Sequence, residues 1–224
     1  MPRPLAMKVL AIDTATEVLA LSAANGAASG SLAFRNGVQH SPALAPLIER
    51  LLSQLGLSTR EIELIVCSIG PGSFTGIRIG LATAMGISFA TGCPIVGISS
   101  LDTLASPHEN HEGHVFPVID ARKGNFYTAV FHSGRRESEY LDLPPQELRV
   151  RLSEADRPLV SGPDAKKILK MLGDMTAPIR CSELFDPLAL LQLGTAKYAR
   201  EGADPDGLRP LYLRKSEAEI AGGL

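Results

Sequence analysis

Tryptophan is missing from this chain, cysteine occurs three times, and neither sign of charge is in clear excess. Each shortage excludes something. With 22 Lys and Arg against 24 Asp and Glu, the formal net charge is −2, so the chain as a whole lacks the basic excess that sequence-independent nucleic-acid binding draws on. That balance still allows RNA as a substrate reached through a partner. Cys67, Cys93 and Cys181 lie in apolar or strand-like settings without metal spacing, so buried free thiols in a reducing compartment are expected. The stretch Ile79–Leu101 is the longest without a charged side chain. Its Thr, Ser, Gly and Pro content argues against a membrane span. Met1–Ala6 has no hydrophobic segment of the secretory kind, which leaves a disordered extension before Met7 and a soluble cytoplasmic protein as the expectation. At 224 residues and 45% hydrophobic, the chain can build one large core or two small ones.

The residues that are present centre on Leu64–Gly80. Leu64–Ile69 is a continuous aliphatic and β-branched run, as in a strand buried on both faces. Gly70-Pro71-Gly72 breaks it, and Ser73 or Thr75 caps the next segment. Phe74–Thr91 reads as a helix apolar all round, which must be covered on every side. Its Gly80, Ala82, Ala84, Gly86 and Ala90 let neighbours come close. Strand, glycine turn and helix N-terminus together suit an anion. Yet Gly70-x-Gly72-x-x-x-Gly76 has neither a dinucleotide fingerprint nor a Walker lysine, and a tight strand-to-helix turn explains it as well. Arg78 suits a phosphate or a nearby carboxylate.

The rest of the chain reads as two similar halves. Met7–Asp13, Val18–Ala23 and Ala28–Arg35 are expected strands, with a hairpin turn at Asn25-Gly26. Ser41 caps a helix with Pro42 in its first turn, ended by Gly56. Leu44, Leu47, Ile48, Leu51, Leu52 and Leu55 form one stripe along it. After the central strand and helix come a strand at Pro94–Ile98 and a helical turn at Leu101–Ala105. Ser106–Gly113 is polar and marks a boundary, giving lobes at 7–105 and 106–209 and a tail at 210–224. In the second half, Val115–Asp120, Phe126–His132 and Arg136–Leu141 are expected strands, followed by a helix at Pro144–Leu152. A strand at Pro158–Ser161, a helix at Pro163–Leu172 and a strand at Pro178–Cys181 come next, and Asp186-Pro187 opens a last helix reaching about Arg200.

Two β-β-β-α-β-α lobes, the second smaller, each with an aspartate closing its first strand, resemble the α/β fold shared by actin, sugar kinases and Hsp70. That resemblance implies a nucleotide cleft, with Asp13 and Asp120 at the phosphates and Thr14, Thr16, Gly70, Gly72 and Thr75 lining it. Asp at a strand end also makes turn hydrogen bonds, and both readings stand. Arg122 and Lys123 suit phosphate or RNA, or a solvated turn. The His108-x-x-His111-x-x-His114 spacing falls outside the usual zinc patterns, and no metal is expected there. Ser73 lacks the nucleophile-elbow spacing, so helix capping is its expected role.

A narrower resemblance rests on Ala11-Ile-Asp-Thr-Ala-Thr16, His40-Ser-Pro with its leucine helix, and Ile69–Gly80. Asp120-Ala-Arg-Lys-Gly-Asn-Phe-Tyr127 and Pro210-Leu-Tyr-Leu-Arg214 complete it. These segments, spanning Met7–Glu219, are similar to the bacterial TsaB (YeaZ) family. The resemblance implies a place in the machinery that makes threonylcarbamoyladenosine beside the tRNA anticodon. There the catalytic subunit is the paralogue TsaD, with a metal-binding His-x-x-x-His pair that this chain lacks. It implies a non-catalytic partner that binds TsaD, with the ATPase-type subunit TsaE cycling the complex and tRNA reached indirectly. The two N-terminal helices would meet TsaD, or a second copy in a homodimer, through Leu44, Leu47, Ile48, Leu51, Ile77, Leu81 and Met85. No cofactor is certain, and weak ATP or ADP binding is an expectation. A free-standing small-molecule or acyl kinase of the same fold is the alternative.

Overall fold

The computed structural model describes residues 7–35, 41–175, 178–204 and 208–214. The expected extension before Met7, His40 and the tail beyond Arg214 lie outside the described residues, as does the side chain of Ser41. The chain divides into two compact units, Met1–Ser100 with Pro187–Pro210, and Leu101–Asp186 with Leu211–Leu224.

The first unit is a five-stranded sheet in the order β3-β2-β1-β4-β5. Its strands are β1 (Lys8–Asp13), β2 (Val18–Asn25), β3 (Ala28–Arg35), β4 (Leu64–Ser68) and β5 (Ile95–Ile98). The β2–β3 hairpin turns at Gly26 with φ +62°, the left-handed backbone that Asn-Gly signals. Helix α1 (Ser41–Gln54) packs on β2 and β3, and α2 (Phe74–Thr91) on β4 and β1. Side chains alternate along β1 and β4. Val9, Ala11, Leu64 and Val66 pack with Leu190 and Leu191 of α6 (Ala189–Glu201). Cys67 points instead toward α2, where a Cβ on Gly80 would sit 3.7 Å from its sulfur.

Helix α6 corrects the expected boundary. Sequence places it at the end of the second lobe, but it packs across β1, β4 and β5 of the first. Gly194 permits this, because any side chain there would overlap Val66. The link out of α6 then guards the sheet edge: Asp204 Oδ2 accepts the Gly97 N–H at 2.7 Å, and Lys197 Nζ donates to the Gly97 carbonyl at 3.1 Å.

The second unit begins with the short helix α3 (Ser100–Ala105), Ser100 itself belonging to the first unit, and repeats the sheet. Its strands are β6 (His114–Asp120), β7 (Phe126–Thr128), β8 (Phe131–His132), β9 (Arg135–Arg136), β10 (Leu141–Leu143), β11 (Leu159–Ser161) and β12 (Arg180–Ser182). The order β10-β7-β6-β11-β12 is the 3-2-1-4-5 order of the first sheet, with β8 and β9 as a side hairpin on β6. The strand expected at Phe126–His132 is broken at Ala129-Val130. There Ser138 Oγ accepts the Val130 N–H at 2.9 Å, taking the place of a ladder partner. The strand expected at Arg136–Leu141 likewise divides into β9 and β10. Helices α4 (Pro145–Glu154) and α5 (Ala165–Leu172) cover one face through Leu148, Leu152, Ala165, Ile168 and Leu172. Each unit therefore carries the same 3-2-1-4-5 sheet, and the fold is a two-lobed α/β one.

Candidate functional site

In the first unit, β1 runs directly into the residues expected to line a cleft. Asp13 is buried, and its Oδ1 accepts the Ala15 N–H at 2.9 Å. Thr14 Oγ1 donates to the Gly76 carbonyl at 2.7 Å, and the Ser73 N–H donates to the Ala15 carbonyl at 2.7 Å. The segment after β1 is thus sewn onto the first turn of α2. The glycines make this approach possible: a Cβ on Gly72 would overlap the Ala15 carbonyl, one on Gly76 the Thr14 carbonyl, and one on Gly80 the Thr14 hydroxyl. Gly70 takes φ +101°. Ser73 caps α2, its Oγ accepting the Gly76 N–H at 3.2 Å. Arg78 lies over the Phe74 ring, with its guanidinium carbon 3.8 Å from the centroid.

Asp13, Thr14 and Gly72 therefore lie along one strand-to-helix seam, while the Gly70 carbonyl accepts the Ser100 N–H at 2.8 Å. Thr16 turns away, its hydroxyl accepting the Val18 N–H at 3.2 Å, and Thr75 is exposed on the first turn of α2. Beneath them, burial and then the charge of Asp13 push the Cys67 thiol far above its ordinary range. Cys93 is buried as expected, but Cys181 is exposed, because β12 is an edge strand of three residues.

In the second unit, Asp120 closes β6 and is a hub. Its Oδ2 accepts Lys167 Nζ at 2.6 Å and has an Arg122 guanidinium nitrogen 3.9 Å away, while its Oδ1 accepts the Arg122 N–H at 2.9 Å. Burial alone would raise the carboxyl. The Lys167 ammonium and the Arg122 N–H and charge outweigh it, holding Asp120 below the usual range. The turn after Asp120 places Arg122, Lys123 and Gly124 at φ +61°, +53° and +85°. A second carboxylate fixes it from behind: Asp142 Oδ1 accepts Asn125 Nδ2 at 2.9 Å, and Arg214 binds both Asp142 oxygens. No motif or spacing points to Lys167 or Asp142. The structure ties the tail motif ending at Arg214 to its own unit, with Leu213 packed on the adjacent core.

The helix faces also differ from expectation. Leu44, Ile48 and Leu51 are buried, Leu47 is half-buried, and Ile77 and Leu81 are buried under α2. The α1 stripe therefore packs on its own sheet and offers little to a partner. Nor is α2 covered all round: its outer face carries Met85, 45% exposed, and Phe89, 94% exposed, with Ala82, Gly86 and Ala90 exposed beside them. This helix is long and apolar enough to cross a membrane by length and composition, yet its other face is buried on the sheet. The histidines of the 106–114 loop form no metal group among the described residues. His111 instead meets the Arg157 carbonyl at 2.8 Å, and His114 stacks obliquely on His132.

A family model described as TsaD, tRNA N6-adenosine threonylcarbamoyltransferase, matches residues 35–171. Over 226 aligned positions the chain is 32% identical to the tRNA threonylcarbamoyladenosine biosynthesis protein TsaB of Bacillus subtilis, spanning 95% of this chain and 96% of that one. The chain belongs to the TsaB family. The Escherichia coli TsaB is 34% identical over 127 residues, 56% of this chain and 55% of its own length. A solved Pseudomonas aeruginosa protein, described as similar to peptidase YEAZ, superposes with a TM-score of 0.79 at 26% identity. That match covers 93% of this chain and all of the other. Full-length likeness decides for TsaB. In this TsaB-family chain Ser73 serves as a helix cap.

Proposed function

We propose that this TsaB-family chain is a non-catalytic subunit that binds TsaD and supports its transfer of the threonylcarbamoyl group to tRNA. The observation that carries the reading is the uncovered apolar face of α2. Met85 and Phe89 stand on it among Ala82, Gly86 and Ala90, whose small side chains let a second helix pack closely. The sequence contains no His-x-x-x-His pair to hold a catalytic metal. The seam between Thr14 and Gly76 is packed backbone to backbone, and Asp120 is paired with Lys167. Both features favour a structural role for the residues that the superfamily uses around phosphates. The same face of α2 would pair two copies when TsaD is absent.

The experiment is co-elution of the chain with TsaD, for wild type and Phe89→Glu. Wild type is expected to form the complex, and the variant to lose it while remaining folded. Retained binding by Phe89→Glu removes the proposed surface. Steady ATP turnover by the isolated chain, lost in Asp13→Asn, would instead favour the kinase reading.

A further inference from the structure

Four of the seven lysines of this chain are Lys123, Lys166, Lys167 and Lys170; Lys123 follows Arg122 in sequence, Lys167 meets it through Asp120, and Lys166 pairs with Glu183. A net charge of −2 thus hides a local concentration of cations in the second unit. Arg122 and Lys167 share one carboxylate, Asp120, whose own N–H donates to Asp164 Oδ2 at 2.8 Å. The Arg122 side chain is 79% exposed, and Lys167 is about half exposed, which leaves their remaining N–H groups facing water.

The backbone here is as informative as the charge. Arg122 and Lys123 both adopt the left-handed conformation, which glycine takes freely and long side chains take at a penalty. Gly124 comes next at the same φ sign, so the turn tolerates glycine. The turn is held in place by the Asn125–Asp142–Arg214 network and by the Ala121 N–H donating to the Asn125 carbonyl at 3.0 Å. Strain of this kind, fixed by its surroundings, clusters at functional sites and motivates a functional reading of the turn. Among the described residues, the turn itself offers no apolar anchor beside the cations: Ala121 is buried, and Gly124 and Asn125 complete it. Protein hot spots rest on buried aromatic or aliphatic anchors, whereas phosphate contacts need only positioned Arg and Lys.

We propose that the Arg122–Lys123 turn, together with Lys167, is a contact for the phosphate groups of RNA. That RNA supplies the phosphate rests on the function proposed above; the cationic turn itself does not. The contact positions RNA without reading its sequence, and its strength depends on salt.

The test uses the full chain, alone and in complex with TsaD, titrated against fluorescently labelled unmodified tRNA between about 50 and 200 mM salt. The variant is Arg122→Gly with Lys123→Gly, which removes both cations while giving the turn the residue its backbone prefers. Its thermal midpoint is expected to match or exceed that of wild type. RNA affinity is expected to fall about tenfold at the low-salt end, with the log–log salt slope smaller by about two. Unchanged affinity and slope overturn the proposal, even if the variant loses a protein partner. ADP displacing RNA from wild type far more readily than inorganic phosphate does would assign the site to a nucleotide and overturn it too. Binding is read without any transfer reaction. A chain dispensable for modification that still binds RNA through Arg122 would remove the proposed function and keep the contact. If the double variant does not fold, Arg122→Gly alone is read in the same way.

Discussion

The Thr14 hydroxyl donates to the carbonyl of Gly76, 62 residues further along, at 2.7 Å. This bond joins the end of the first strand to the first turn of α2, and it is buried. Thr14→Val leaves the Gly76 carbonyl without that donor and is expected to destabilise the first unit by about 1–3 kcal/mol. Gly76→Ala places a methyl against the Thr14 carbonyl, and about 1–3 kcal/mol or more is expected from overpacking. Urea unfolding midpoints of the two variants measure both.

Leu51 and Met85 are expected on one partner surface, and the structure separates them. Leu51 is 1% exposed beneath α1, whereas Met85 stands open on α2. Leu51→Glu buries an unpaired carboxylate and is expected to unfold the unit or to cost more than about 3 kcal/mol. Met85→Glu is expected to leave stability within about 0.5 kcal/mol of wild type. Thermal melts of both variants distinguish a core stripe from a surface one.

The Asp120–Lys167 pair makes stability depend on pH with a definite sign. The Asp120 carboxyl is lowered in the fold, so its contribution is full above the unfolded value of about 3.9 and is lost as pH falls through the folded one. In Lys167→Met the hydrogen bond and charge of the lysine are lost, and the Arg122 N–H and charge alone oppose burial. The stability gap between wild type and variant is expected to be widest near neutral pH and to close below about pH 4. A gap constant across that range would contradict the pairing.

His108 titrates higher on the scale. Burial, then the neighbouring His111, hold its imidazole below the usual range, and its Nε2 is buried without a partner among the described residues. Its contribution is full above the unfolded value of about 6.5 and falls away as pH drops below it. His108→Gln is expected to flatten the stability profile below about pH 6.5. Chemical unfolding at several pH values reads this directly.

Much of the fold was legible because its signals are local. Asn25-Gly26 marks a hairpin, the aliphatic run at Leu64–Ile69 a buried strand, and Gly92 with φ +75° ends α2 where the apolar run gives way to Gly-Cys-Pro. The features that escaped the sequence depend on contacts distant along the chain. Nothing in Ala189–Glu201 says which sheet it will cover; that is settled by the fit of Gly194 over Val66. The stripe on α1 shows that a face is apolar, but not whether its partner is a sheet of the same chain or another protein. Glycine spacing at 70–76 suggested either a phosphate cradle or a tight turn. The close approach of Ala15 and Thr14 accounts for Gly72 and Gly76 by packing alone. The Asp120 hub needed Lys167, 47 residues away, and no periodicity connects the two.

The central claim is that this chain assists TsaD rather than acting alone. It is tested most directly by reconstituted threonylcarbamoyl transfer to tRNA, using TsaD, TsaE and the threonylcarbamoyl-adenylate synthase, with and without this chain. Modification that appears only when the chain is added, fails with Phe89→Glu, and is absent with the chain alone is the predicted result. Equal modification with and without the chain would contradict the account.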